Sequence, residues 1–180
     1  ASQKNIVLIF DECTSGFRES YGGIHLKYNI IPDIAIFGKA LGNGYAINAV
    51  VGKKNIMESA NSTFISSTFW TERIGSVAAL ATLKEMKKEQ SWKRLSNIGR
   101  KIKNKWKEIA TSNSLSIKVN GMDALPNFVF NSKLNNAYKT YITQEMLKKG
   151  ILASNVVYTS ITHDKSILQK YFSALNKIFK

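Results

Sequence analysis

Two side chains in the first quarter of the chain are of types and in places that could do chemistry. Asp11 closes the apolar run Ile6 to Phe10, and Lys39 sits in Gly38-Lys39-Ala40-Leu41-Gly42-Asn43-Gly44. A carboxylate at the carboxyl end of a parallel strand lies where open α/β sheets receive ligands. If buried there, it needs a charged or hydrogen-bonding partner. A lysine with glycines on both sides allows a bulky ligand to come close, and desolvation would free its amine as a nucleophile. Both have plainer readings, as an acid that caps a turn and as a solvent lysine on a glycine-rich turn. The glycine spacing does not fit a phosphate loop, and no Ser or Thr follows the lysine. Ser66, Ser67, Thr68 and Thr71 form a hydroxyl-rich patch ahead of a helical stretch. Such a patch can hold a phosphate or simply cap the helix. Cys13 lies beside the two acids with no base near it in sequence, so it reads as a small contact residue.

The elements that must position these groups are legible as patterns. Residues 5–10 read as a buried parallel strand. Residues 14–29 read as a loop with one turn of helix, Ile34 to Phe37 as a second strand and Ala46 to Val51 as a third. From Arg73 the period becomes helical, and Ala78 to Leu83 suits a buried helix. Trp92, Leu95, Ile98, Ile102, Trp106 and Ile109 recur at steps of three or four, the stripe of a long amphipathic helix. Beyond it come an extended stretch from Leu115, a turn at Asn120-Gly121, a strand at Phe128 to Phe130, and a helix stopped by Gly150. An extended segment, 151–158, precedes a closing helix. Three strands are few for a parallel sheet, which needs cover on both faces. The chain therefore reads as truncated at its amino end.

Composition sets the outer bounds. The 180 residues are 44% hydrophobic and 21% charged, as in an ordinary globular domain. Lys plus Arg number 26 against 12 Asp plus Glu, a net charge of +14. That sign admits nucleic acid or an anionic small ligand as partner. The excess is nearly all lysine, without the arginine clusters and aromatic interleave of nucleic-acid binders. One cysteine and two distant histidines, His25 and His163, give no disulfide framework and no zinc motif. No transmembrane run is visible, and no signal peptide opens the chain, so a cytoplasmic location is expected.

Three blocks together carry a family likeness. They are D-E-C-T-S-G-F-R at 11–18, P-D-I-A-I-F-G-K-A-L-G-N-G at 32–44 and T-F-I-S-S-T-F-W-T-E-R at 63–73. In order and spacing they resemble the class III pyridoxal-phosphate aminotransferases, particularly the branch near glutamate-1-semialdehyde aminomutase. G-I-L-A-S-N-V-V-Y and S-I-T-H-D, between 150 and 164, are similar to that family's small carboxy-terminal domain. The likeness covers the chain but only the later half of a full family member.

This resemblance implies an α/β fold. It would comprise part of the large domain of an aspartate aminotransferase-like, fold type I transferase and an α+β small domain. The divisions expected are 1–75 for the large-domain part, 76–110 for connecting helices and 111–180 for the small domain. It implies pyridoxal 5'-phosphate as cofactor and transfer of an amino group between an amino donor and a carbonyl compound. Asp11 matches the acid that pairs with the cofactor's ring nitrogen. Lys39 matches the lysine that forms the aldimine. Thr68 matches the threonine that reaches the cofactor phosphate of the neighbouring subunit. Cys13 stands where the family usually has valine against the ring, and Ser15 stands at a usual threonine. Glu12 reads as structural or substrate-side support, and Arg18 has no catalytic role.

The amino-terminal half of the family, with its phosphate loop and second ring-stacking aromatic, has no counterpart here. No arginine follows Arg100 to clamp a substrate carboxylate. The missing half or a partner chain would complete the site, and exposed sheet edge and apolar surface are expected without it. The complete enzyme is expected to be a homodimer. The alternatives are intramolecular transfer by a 2,1-aminomutase, a non-catalytic remnant, or a basic nucleic-acid-binding module.

Overall fold

The computed structural model describes Ala1 and residues 3–180, which form two compact units, Ala1–Lys93 and Arg94–Lys180. The first contains a three-stranded sheet in the order β1-β2-β3, made of β1 (Ile9–Asp11), β2 (Ile34–Phe37) and β3 (Ala49–Gly52). β1 runs parallel to β2, with Ile9 opposite Ile34 and Asp11 opposite Ile36. β3 returns antiparallel on the other side of β2. A short helix α1 (Lys54–Met57) follows, then α2 (Arg73–Glu89). The Glu72 carboxylate caps α2 by accepting the N–H groups of Ile74 at 2.6 Å and Gly75 at 3.1 Å. Ala35, Phe37, Leu41 and Ala79 are buried together, with Phe17 and Leu83 packed against them.

The strand expected over residues 5–10 is shorter and more exposed than its sequence suggests. Only Ile9–Asp11 pairs as strand, and Ile6, Val7 and Ile9 are exposed. β1 is an edge strand with a neighbour on one side only. Ahead of it, the Leu8 N–H donates to the Asp33 carboxylate at 2.8 Å. α2 departs from expectation in the same way. Ile74, Val77 and Leu80, at steps of three on one helix face, are 61%, 64% and 69% exposed, whereas Ala79 is buried. Of the residues read as a buried helix, Ala79 is buried and Leu83 packs against the core, whereas Leu80 lies on an uncovered stripe with Ile74 and Val77.

Helix α3 (Ser91–Ser112) begins near the end of the first unit and continues into the second. The second unit adds the hairpin β4 (Ile117–Met122) and β5 (Leu125–Phe130), then α4 (Asn135–Lys148) and α5 (Lys165–Phe179). The long stripe read in α3 supplies Ile102, Trp106 and Ile109 to its core. Trp106 lies edge-on to Phe128 with ring centroids 4.8 Å apart. Its indole N–H donates to the Tyr171 hydroxyl at 2.8 Å, so the buried polar atom has its partner.

The hairpin turn does not fall at Asn120-Gly121. Both residues lie within β4, opposite Asn127 and Pro126, and the chain turns at Asp123-Ala124. Asp123 is held there by Arg100 at 2.9 Å and Lys103 at 3.0 Å. α3 also comes so close that a Cβ on Gly99 would lie 1.5 Å from the Asp123 carbonyl oxygen. A tertiary anchor therefore outranks the local turn signal. Among the described residues no helix is long and apolar enough to cross a membrane.

Phe128 is fully buried at the centre of this second core. Phe128→Ala is expected to destabilise the fold by about 3–5 kcal/mol in denaturant unfolding. A loss below about 1 kcal/mol would deny it that place.

Candidate active site

The parallel register builds the site. Because β1 and β2 run the same way, their carboxyl ends share one sheet edge, the edge at which ligands bind in open α/β sheets. Asp11 is the last residue of β1 and pairs with Ile36, and Lys39 follows two residues after the end of β2. Lys39 is near enough to Asp11 and Cys13 for its charge to act on both. The Cys13 N–H donates to the Asp11 carboxylate at 3.0 Å. That bond, then the Cys13 thiol and more weakly the Lys39 ammonium, hold Asp11 below the usual aspartate range. Desolvation and the neighbouring Asp11 push the Cys13 thiol up, and Lys39 only partly offsets them. Asp11 is exposed, not buried as its strand-end position first suggests.

Lys39 stands out for its backbone. Its φ of 45° lies in the left-handed region, which costs a non-glycine residue energy and often marks functional sites. Lys39 Nζ donates to Thr14 Oγ1 at 2.5 Å. Gly38 before it lies in a tight approach. A Cβ there would sit 2.4 Å from Asn48 Oδ1 and 3.4 Å from Cys13 Sγ.

Glu12 supports this arrangement from beneath and is 1% exposed. Its N–H donates to the Ile36 carbonyl at 2.8 Å, extending the β1–β2 pairing. Its carboxylate accepts from Ser15 Oγ at 2.5 Å, Ile24 N–H at 2.9 Å and His25 N–H at 3.0 Å, and it contacts His25 Nδ1 at 3.0 Å. The loop from Cys13 to His25 is thereby tied down at both ends. The His25 ring in turn lies against Phe10 of β1 and Phe37 of β2, at 6.1 Å and 6.5 Å between centroids. Burial acts to raise the Glu12 pKa, but the bonds from Ser15, Ile24 and His25 outweigh it and leave the carboxyl below the usual glutamate range.

Of the residues singled out by sequence, the structure brings Asp11, Cys13 and Lys39 together. Thr68 lies in the exposed stretch between 63 and 71. Ser67 beside it accepts the Phe69 N–H at 3.3 Å. Sequence reasoning missed Thr14 and His25, whose partners stand 25 and 13 positions away. No local spacing signals such pairs. In the second unit, an apolar cavity of about 340 Å³ lined by Ile102, Leu168, Tyr171 and His163 carries no comparable cluster. Burial there lowers the pKa of its one histidine.

The chain matches the model of the family described as Aminotransferase class-III over residues 1–177. The 3-aminobutyryl-CoA aminotransferase of Cloacimonas acidaminovorans is 34% identical over 145 residues, which are 80% of this chain and 35% of that protein. The glutamate-1-semialdehyde 2,1-aminomutase of Methanocaldococcus jannaschii is 29% identical over 195 residues, 99% of this chain and 46% of its own. Among solved structures, the PLP internal aldimine form of the FumI protein from a Sphingopyxis species superposes with a TM-score of 0.91 at 21% identity. That match covers 99% of this chain and 44% of the other.

The fold is that of the fold type I, pyridoxal-phosphate-dependent transferases, in partial form. The chain belongs to the class-III aminotransferase family. It spans less than half the length of these relatives.

The buried Glu12 sets a testable pH dependence. Its native pKa lies below its ordinary value, so it contributes stability that is fully present above that ordinary value. The contribution is lost as pH falls through the lowered native value. Glu12→Gln is expected to destabilise the fold by about 2 kcal/mol at neutral pH. It should also shallow the acid limb of the stability profile without removing it, because Asp33 and Asp123 are depressed in the same sense. Thermal melts at a series of pH values test this; an unchanged acid limb would contradict it.

Proposed function

We propose that the chain provides the cofactor-lysine part of an enzyme that transfers amino groups with pyridoxal 5'-phosphate. The observation that carries this reading is the common edge shared by the Asp11 carboxylate and the Lys39 amine. The groups present suit such a cofactor. They are an ionised carboxylate for a ring nitrogen, an amine for a carbonyl carbon, and the tight Gly38 backbone beside Cys13. When bound, the cofactor supplies an electron-withdrawing ring that stabilises negative charge at a substrate α-carbon.

Each residue then has a stated task. Asp11, its carboxyl held below the usual aspartate range, would keep a proton on the ring nitrogen. Lys39 would hold the cofactor through Nζ, its amine joining the carbonyl carbon with loss of water, and when free it would move a proton to or from the substrate α-carbon. Cys13 would lie against one ring face. Thr68, which is exposed, would reach the phosphate in a neighbouring subunit of a homodimer. Residues 1–75 belong to the large domain, 76–110 to connecting helices and 111–180 to the small domain. Substrates are a small amino donor and a carbonyl acceptor. The setting is cytoplasmic, which suits a chain with a single cysteine.

A second reading, intramolecular transfer by a 2,1-aminomutase, draws on the relative of that name that aligns with 99% of this chain. Turnover of an amino aldehyde by the full-length protein, with no added carbonyl acceptor, would favour it.

Incubation with pyridoxal 5'-phosphate, borohydride reduction and peptide mapping test the principal reading. Reduced cofactor is expected on Lys39 ahead of all other lysines. Lys39→Ala should abolish that label, and Asp11→Ala should weaken capture about tenfold. Label spread evenly over surface lysines would contradict the assignment.

A further inference from the structure

We infer that Thr14 is a positioning residue that parks the free amine of Lys39. This rests on the reading of Lys39 as the cofactor lysine. That role requires the amine to leave its ligand during each turnover and return to the same place, so the released side chain needs a defined resting position.

Several observations converge on Thr14. Lys39 Nζ donates to its hydroxyl at 2.5 Å, a contact made across 25 positions of chain. Thr14 is itself braced. Arg18 Nε donates to its carbonyl oxygen at 2.6 Å. Cys13 before it is tied to the Asp11 carboxylate, and Ser15 after it to buried Glu12. The acceptor is thus fixed by its neighbours, while the donor sits on a long, exposed side chain. Lys39 starts from a left-handed backbone, φ 45°. Its aim depends on that unusual conformation, and the Thr14 hydroxyl provides the point at which the aim ends.

A solvent-exposed lysine finds hydroxyl partners by chance, and a chance partner would leave reactivity unchanged. A parking site would not. An amine engaged by a fixed acceptor is withheld from a diffusing acylating reagent.

The test needs no cofactor. The 180-residue chain is treated with limiting acetic anhydride, and acetylation of Lys39 is measured by mass spectrometry relative to exposed Lys107. Thr14→Val should raise relative acetylation of Lys39 about fivefold, the factor of one net hydrogen bond. Thr14→Ser, which keeps the hydroxyl, should stay at the wild-type level. Thr14→Ala provides the same comparison if circular dichroism shows that valine disturbs the loop. Equal acetylation in wild type and in the variants without a hydroxyl would overturn the inference. So would a serine variant as reactive as the valine one. If the wild-type chain fails to take pyridoxal 5'-phosphate on Lys39 but shows the rise on Thr14→Val, the cofactor reading falls and the parking contact stands.

Discussion

Parallel pairing of two short strands determines the rest of this site. β1 and β2 place Asp11 opposite Ile36, and Cys13 and Lys39 follow directly from the ends of these paired strands. If β1 ran the other way, its acid would end at the far edge of the sheet, away from Lys39. A shift of one residue would turn successive side chains to the opposite face. The register is held by more than the ladder. Glu12 adds a bond to the Ile36 carbonyl beyond the last strand pair, and Asp33 accepts the Leu8 N–H ahead of the first. These two carboxylate-bearing residues bracket a strand of only three residues.

Glu12 links stability to geometry. Its backbone continues the strand pairing, while its buried carboxylate collects Ser15, Ile24 and His25. Asp11 immediately before it stays exposed. Adjacent acids thus divide two tasks through the alternation of a strand, one turned into the fold and one towards solvent. The aromatic packing of His25 between Phe10 and Phe37 ties the same loop to both strands.

Much of this was legible in the residues themselves. The short motifs around Asp11 and Lys39 and the long stripe of α3 each point to what is found. The misreadings have physical causes. The run from Ile6 looks buried because its composition is apolar, but burial depends on a neighbouring strand that the described sheet does not contain. Leu80 of α2 looks like core for the same reason, yet it is exposed beside Ile74 and Val77. Asn120-Gly121 carries a strong turn signal, yet the turn lies three residues on, where Arg100 and Lys103 fix Asp123. The bond from Lys39 to Thr14 and the contact of Glu12 with His25 join residues far apart in the chain, which local spacing cannot encode.

The claim at the centre is spatial, that one flat ligand meets the Asp11 carboxylate and the Lys39 amine at once. A crystal structure of the chain after soaking with pyridoxal 5'-phosphate tests it most directly. The account predicts density continuous with Lys39 Nζ and a ring nitrogen within hydrogen-bonding reach of Asp11. Cofactor attached elsewhere, or bound to Lys39 with its ring nitrogen turned away from Asp11, would contradict it.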